Sequence, residues 1–233
     1  MLNVDRHRLY LVEILKDIYS DRELAVSLGF KGGTAAMLFY GLPRFSVDLD
    51  FNLLNKEQSR TVYEKVRNIL LKYGKIHDEA QKFLDDILSL DYGSEERNLK
   101  INISHRAEEY DEYEAKSFLG VEIKTMVISD MFAHKLITLL GREELVNNDI
   151  FDCWHFFKTG TPVNKNIVEK LSQKPLKEYL QDCIEMLQQP LKENLLNGTG
   201  YLIDVKMKSF VKNKLKEETI GYMQYYQQFP QIK

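Results

Sequence analysis

The segment at residues 30–53, F-K-G-G-T-A-A-M-L-F-Y-G-L-P-R-F-S-V-D-L-D-F-N-L, constrains the chain most. Gly32 and Gly33 stand between a candidate short strand within residues 24–30 and an apolar stretch, residues 34–40. That stretch has the composition of a short helix, and Gly41 would end it. Glycines at a strand-to-helix turn let backbone N–H groups approach an anion, and a helix N-terminus favours negative charge. Thr34 stands where a hydroxyl would either cap that helix or touch a bound phosphate. After a return turn at Leu42-Pro43-Arg44, residues 46–53 alternate polar with apolar, the period of a half-buried strand. Asp48 and Asp50 are two apart and so share a face, with Cα atoms about 6.5–7 Å apart. Val47, Leu49, Phe51 and Leu53 would face the core. Two carboxylates on a rigid strand suit Mg2+, which takes oxygen ligands and is completed by waters and substrate phosphates. An acidic pair alone reads more simply as a solvated strand face, and a glycine pair alone as a turn. Together, at this interval, they are more specific than either half.

The formal net charge of −3 argues against a large generic nucleic-acid surface, which needs a basic excess. A local basic stretch remains: Lys206, Lys208, Lys212, Lys214 and Lys216 suit either a solvated helix or contacts to an RNA backbone. Cys153 and Cys183 are far apart in sequence, as in a reduced, cytoplasmic protein. Residues 1–5 do not open a signal peptide, and no apolar run reaches membrane-spanning length.

Periodicity and punctuation predict helices over residues 6–20, 57–73, 130–140 (with Ser129 as N-cap), 150–158, 166–171, 176–188 and 204–226. Gly198-Thr199-Gly200 reads as the loop before the last of these. Residues 98–104 alternate as a strand, residues 118–127 suggest a further strand or two, and residues 105–116 read as a charged loop. Residues 76–84 fit neither period; His77, Asp78 and Glu79 within them lack the spacing of a common metal site. Lys135 is a lone lysine in a largely apolar helix, either snorkelling to solvent or placed as a point charge for phosphate. Asp149 and Asp152 share a helix face, and Asp149 would serve equally as an N-cap. Trp154, His155, Phe156 and Phe157 fit a core better than a base-stacking surface.

Gly32-Gly33 followed by Asp48-x-Asp50 resembles the signature of the polymerase-β-type nucleotidyltransferase superfamily. The fuller wording, K-G-G-T-A at residues 31–35 and R-F-S-V-D-L-D-F at residues 44–51, is similar to the AbiEii-type toxins of bacterial type IV toxin–antitoxin and phage-defence systems. Ala133-x-Lys135-Leu136-x-x-Leu139-Leu140-Gly141-Arg142, then Asn148-Asp149-Ile150-Phe151-Asp152, resembles that family's second block, with Asn148 replacing a basic residue.

The resemblance implies an α/β (α+β) protein: a nucleotidyltransferase-like mixed-sheet domain over residues 1–127, then a helical C-terminal domain over residues 128–233. It implies transfer of a nucleoside monophosphate from an NTP to an RNA acceptor, a tRNA end, with Mg2+ on Asp48 and Asp50. Lys31, Gly32, Gly33, Thr34, Arg44, Ser46 and Lys135 would bind the nucleotide, and Lys135, Asp149 and Asp152 would support catalysis. A third carboxylate of such a site would fall at Asn102. Ser46, on the site face, is a place where a phosphate would repel the substrate. Growth arrest and a cognate antitoxin are expected with the family. Asn102 and Asn148 favour an alternative, a catalytically inactive nucleotide-binding regulatory module; a metal-dependent phosphodiesterase would use the same acidic pair.

Overall fold

The acidic strand lies at the middle of a sheet. The computed structural model describes residues 3–93, 97–141, 147–189, 203 and 205–233. The strands are β1 (Leu28–Lys31), β2 (Leu49–Leu53), β3 (Lys75–Gln81), β4 (Asp85–Asp91), β5 (Leu99–Ser104), β6 (Tyr113–Phe118) and β7 (Val121–Met126). They form one mixed, seven-stranded sheet among the described residues, ordered β3-β4-β5-β2-β1-β7-β6. The β2–β5 and β1–β7 pairs are parallel; the others are antiparallel. The chain divides into two units, one of Met1–Gly41 and Phe45–Val127, the other of Leu42–Arg44 and Ile128–Lys233.

In the sheet unit, helix α1 (Val4–Ser20) is capped by Asn3, whose side chain accepts from Arg6 N, and it buries Leu11, Ile14, Leu15 and Ile18. Leu9, expected in that stripe, is 60% exposed, whereas His7 is buried. Asp21 ends α1 and caps α2 (Arg22–Ser27), accepting from Glu23 N and Leu24 N. Asp21 thus opens a further short helix, and the short strand expected within residues 24–30 is β1, which begins at Leu28. Helix α3 (Gly32–Phe39) starts at the glycine pair itself. Helix α4 (Ser59–Leu70) buries Val62, Val66, Ile69 and Leu70. The ambiguous residues 76–84 are mostly β3, hydrogen-bonded to β4. Glu79 there pairs with Arg67 at 2.7 Å and accepts from Tyr63.

Residues 113–116, read as part of a loop, belong to the edge strand β6, which is joined to β7 through Leu119 and Gly120, both with positive φ. The charges of β6 hid it. An edge strand is held by backbone pairing to one neighbour, and charged side chains such as Glu114 and Lys116 blunt its free edge.

The helical unit contains α5 (Ile128–Gly141), α6 (Asn147–Lys158), α7 (Lys165–Ser172), α8 (Leu176–Gln188), α9 (Val205–Asn213) and α10 (Leu215–Gln228). Its core is aromatic: Phe132 meets Phe156 and Phe157, Phe157 meets Tyr226, and Trp154 meets Phe210. Trp154 Nε1 donates to Glu218 Oε2 at 3.0 Å and Tyr226 Oη to Thr161 O at 2.9 Å. Ser129 and Asp149, offered as N-caps, lie inside the first turns of α5 and α6, because each helix starts earlier than the apolar period suggested. The single helix expected over residues 204–226 is two: Lys214, at φ −134°, leaves helical geometry between α9 and α10. Arg142, Gly198-Thr199-Gly200 and Asp204 lie outside the described residues.

Candidate active site

The glycine pair, the acidic pair and Asn102 meet on one face of the sheet unit. β2 is flanked by β1, which places Lys31 opposite Asp50, and by β5, which places Asn102 opposite Asp50 on the other side. Asn102 Nδ2 donates to Asp50 Oδ1 at 3.4 Å, so the position expected for a third carboxylate holds a neutral amide beside the second. Gly32 has φ +81°, and a Cβ built on it would lie 2.7 Å from Asp50 Oδ2. Both the left-handed backbone and the close carboxylate demand glycine there. Gly33 follows, buried in the first turn of α3. Burial lowers the Lys31 ammonium below the ordinary lysine range, against the pull of Asp50 and Asp111.

Residues 46–48, read as part of the strand, precede β2 and are irregular. Asp48 is instead fixed by hydrogen bonds to the backbone around it. Thr34 Oγ1 donates to Asp48 O at 2.5 Å, so its hydroxyl neither caps α3 nor projects toward a ligand. His7 Nε2 lies 2.7 Å from Val47 O and Nδ1 lies 2.6 Å from Tyr92 Oη. A carbonyl can only accept, so Nε2 carries the proton and the tyrosine hydroxyl donates to Nδ1. Ser46 is buried at 8% exposure.

The carboxylate of Asp48 divides its two oxygens. Oδ2 lies 3.4 Å from Arg97 Nη2. Oδ1 is buried with no hydrogen-bond partner among the described residues. Burial raises the Asp48 carboxyl above the usual carboxylate range; Arg97 opposes the rise and Asp50 adds to it. No group of three or more His, Cys, Asp or Glu side chains forms a metal cage among the described residues. An orphaned buried carboxylate oxygen beside a second carboxylate fits a hard divalent ion that takes its other ligands from water and substrate. Neither His7 nor Arg97 stood out as a site residue in the sequence: one lies among the core positions of α1, the other just ahead of β5.

The remaining candidate residues lie in the helical unit. Arg44 sits in the Leu42–Arg44 segment, and its guanidinium forks onto Asp152, Nε to Oδ1 at 2.6 Å and Nη2 to Oδ2 at 2.7 Å. Lys135 Nζ, on α5, reaches Asp149 Oδ1 at 2.8 Å and Asp152 Oδ2 at 2.9 Å, both on α6. The i, i+3 spacing of the two aspartates brings both to one cation. Burial works against the charged form of Lys135, but Asp152 and Asp149 outweigh it and hold the ammonium above its ordinary range. Burial likewise disfavours the Asp152 carboxylate, and Arg44 and Lys135 reverse that, holding it low.

A mixed sheet carrying a glycine-pair turn against an acidic pair defines a nucleotidyltransferase-like fold. Two solved structures share it: JHP933 from Helicobacter pylori, 18% identical over 98% of this chain and 97% of that one, and a candidate nucleotidyltransferase from H. pylori, 17% identical over 97% and 98%, each with a TM-score of 0.59. The model of the family described as nucleotidyl transferase AbiEii toxin, type IV toxin–antitoxin system, matches residues 13–219, so the chain belongs to that family. No curated protein matches the chain significantly. No helix among the described residues is long and apolar enough to cross a membrane.

Proposed function

We propose that the protein transfers a nucleoside monophosphate from an NTP to an RNA acceptor, a tRNA end, in the cytoplasm, and that a cognate antitoxin counters it. The observation that carries the reading is the buried Oδ1 of Asp48, without a hydrogen-bond partner among the described residues, beside Asp50 and the Gly32-Gly33 turn. Asp48 and Asp50 would hold Mg2+. Bound there, the ion would supply positive charge to the triphosphate oxygens as the α-phosphate changes partners. The N–H groups at the start of α3 face the anionic tail, because the first N–H groups of a helix lack internal partners. Thr34 and His7 fix the backbone on either side of the Val47–Asp48 peptide, which keeps the Asp48 carboxylate aimed. In the helical unit, Lys135 is proposed for nucleotide phosphate. Asp149 and Asp152, committed to Lys135, are positioning residues.

One observation favours a second reading, a nucleotide-binding regulatory module: Asn102, not a carboxylate, is the neighbour of Asp50. Expression in a bacterial host separates the two. The transfer reading expects growth arrest, with tRNA from arrested cells heavier at its 3′ end by whole nucleotide residues, and loss of both with Asp48→Ala. Growth arrest with tRNA of unchanged mass, equal in Asp48→Ala, would favour the module.

A further inference from the structure

Arg97 stands just ahead of β5, on the side of the acidic pair opposite the Gly32-Gly33 turn. Its contact with Asp48 is a single one at 3.4 Å, and its side chain is 38% exposed. The Arg44–Asp152 pair shows how this chain builds a permanent ion pair: two bonds at 2.6 and 2.7 Å, with the arginine side chain 4% exposed. By comparison the contact between Arg97 and Asp48 is long and one-pronged, and both side chains are partly open to water. Its partner Oδ2 belongs to the same carboxylate whose Oδ1 is buried without a partner among the described residues. Lys100, also near Asp48, is exposed on β5.

We propose that Arg97 is a handover residue: it neutralises Asp48 before the divalent ion arrives, is displaced when the ion takes that carboxylate, and then grips the triphosphate from the side opposite the glycine turn. The inference rests on the functional reading above. The physics is competition for one carboxylate. A divalent cation at Asp48 repels a guanidinium at contact distance. A planar guanidinium released beside a triphosphate finds oxygens that match its fork better than one carboxylate oxygen at 3.4 Å. Because the pair is partly exposed, its loss changes ion affinity only modestly.

Mn2+ binding to the full chain, followed by the loss of the free-ion electron paramagnetic resonance signal, tests this without any turnover. Inorganic tripolyphosphate serves as a base-free probe of the triphosphate site. Arg97→Gln is expected to bind Mn2+ alone about two- to fivefold more tightly than wild type. It is expected to bind tripolyphosphate, with Mn2+ present, about tenfold more weakly. Arg97→Lys keeps the charge but loses the fork, and should lie between wild type and Arg97→Gln on both scales. Unchanged or weaker Mn2+ binding in Arg97→Gln, or tripolyphosphate bound as by wild type, overturns the handover. Asp48→Asn separates the two failures. Mn2+ held by wild type, released by Asp48→Asn and indifferent to Arg97→Gln defeats the handover alone. Mn2+ uptake that ignores Asp48→Asn defeats the functional reading and the handover with it.

Discussion

Gly32 and Asp50 are packed so closely that a methyl group on Gly32 would lie 2.7 Å from Asp50 Oδ2. The strand-to-helix turn and the carboxylate therefore fix each other. Gly32→Ala would place an L side chain at φ +81° and push Asp50 aside. The left-handed backbone alone costs about 1–2 kcal/mol. The expected outcome is an unfolding free energy from urea titration lowered by that amount or more, with Mn2+ uptake reduced; an alanine variant of full stability and full uptake would contradict it.

Thr34 acts on Asp48 through the backbone, so conservative variants separate its hydroxyl from its shape. Thr34→Val removes the donor to the part-buried Asp48 O, at a cost of about 0.5–1.5 kcal/mol. A loosened carboxylate is expected to lower kcat by about ten- to a hundredfold, with KM for NTP little changed. Thr34→Ser should restore most of kcat; equal impairment in both variants would assign Thr34 to packing alone.

His7 predicts a pH dependence on the mildly acid side. Burial lowers its pKa in the folded protein, against the hydrogen bond to Val47 O that raises it. The unfolded chain, with an imidazole near pKa 6.5, then takes up the proton first. Stability from the neutral ring is full above about pH 6.5 and falls as pH drops through the folded value. Gln at position 7 keeps a donor for Val47 O and cannot titrate. The wild-type minus His7→Gln difference in unfolding free energy should therefore decline below about pH 6.5. A difference flat from pH 7.5 to 5 would refute it.

Asp152 balances two cations, so its removal should be severe. Asp152→Ala leaves Arg44 and Lys135 short of a partner in a buried site, an expected loss of about 3–5 kcal/mol. The acid limb carries the sign. The folded carboxyl titrates below its unfolded value, so its stabilisation is present above about pH 4 and is lost as pH falls through the folded pKa. Asp152→Asn should flatten that limb in urea titrations between pH 5 and 2; an unchanged limb would place the acid sensitivity elsewhere.

The parts of the site that the sequence displayed are those with a local period. Gly32-Gly33 before an apolar stretch, and Asp48-x-Asp50 within an apolar alternation, each declare themselves over a few residues, and the strand of Asn102 does so by its alternation. What stayed hidden depends on partners far along the chain. Arg44 meets Asp152 across 108 positions, and His7 meets Val47 across 40. No window of sequence carries either pairing. Arg44 looked available for phosphate because its carboxylate partner could not be seen. β6 was missed for a related reason: its charged residues mask an apolar period, and backbone pairing to β7 holds it. α2 does not show in the apolar pattern because it is short and is set by Asp21, which ends α1 and caps α2.

The central claim is that the Asp48–Asp50 pair supports nucleotidyl transfer. Incubating the purified protein with each α-phosphate-labelled NTP, Mg2+ and total tRNA, beside Asp48→Asn, tests it most directly. The account predicts label in tRNA from at least one NTP, abolished by Asp48→Asn and by chelation of the ion. NTP bound without label entering RNA, or label transferred equally by Asp48→Asn, would contradict it.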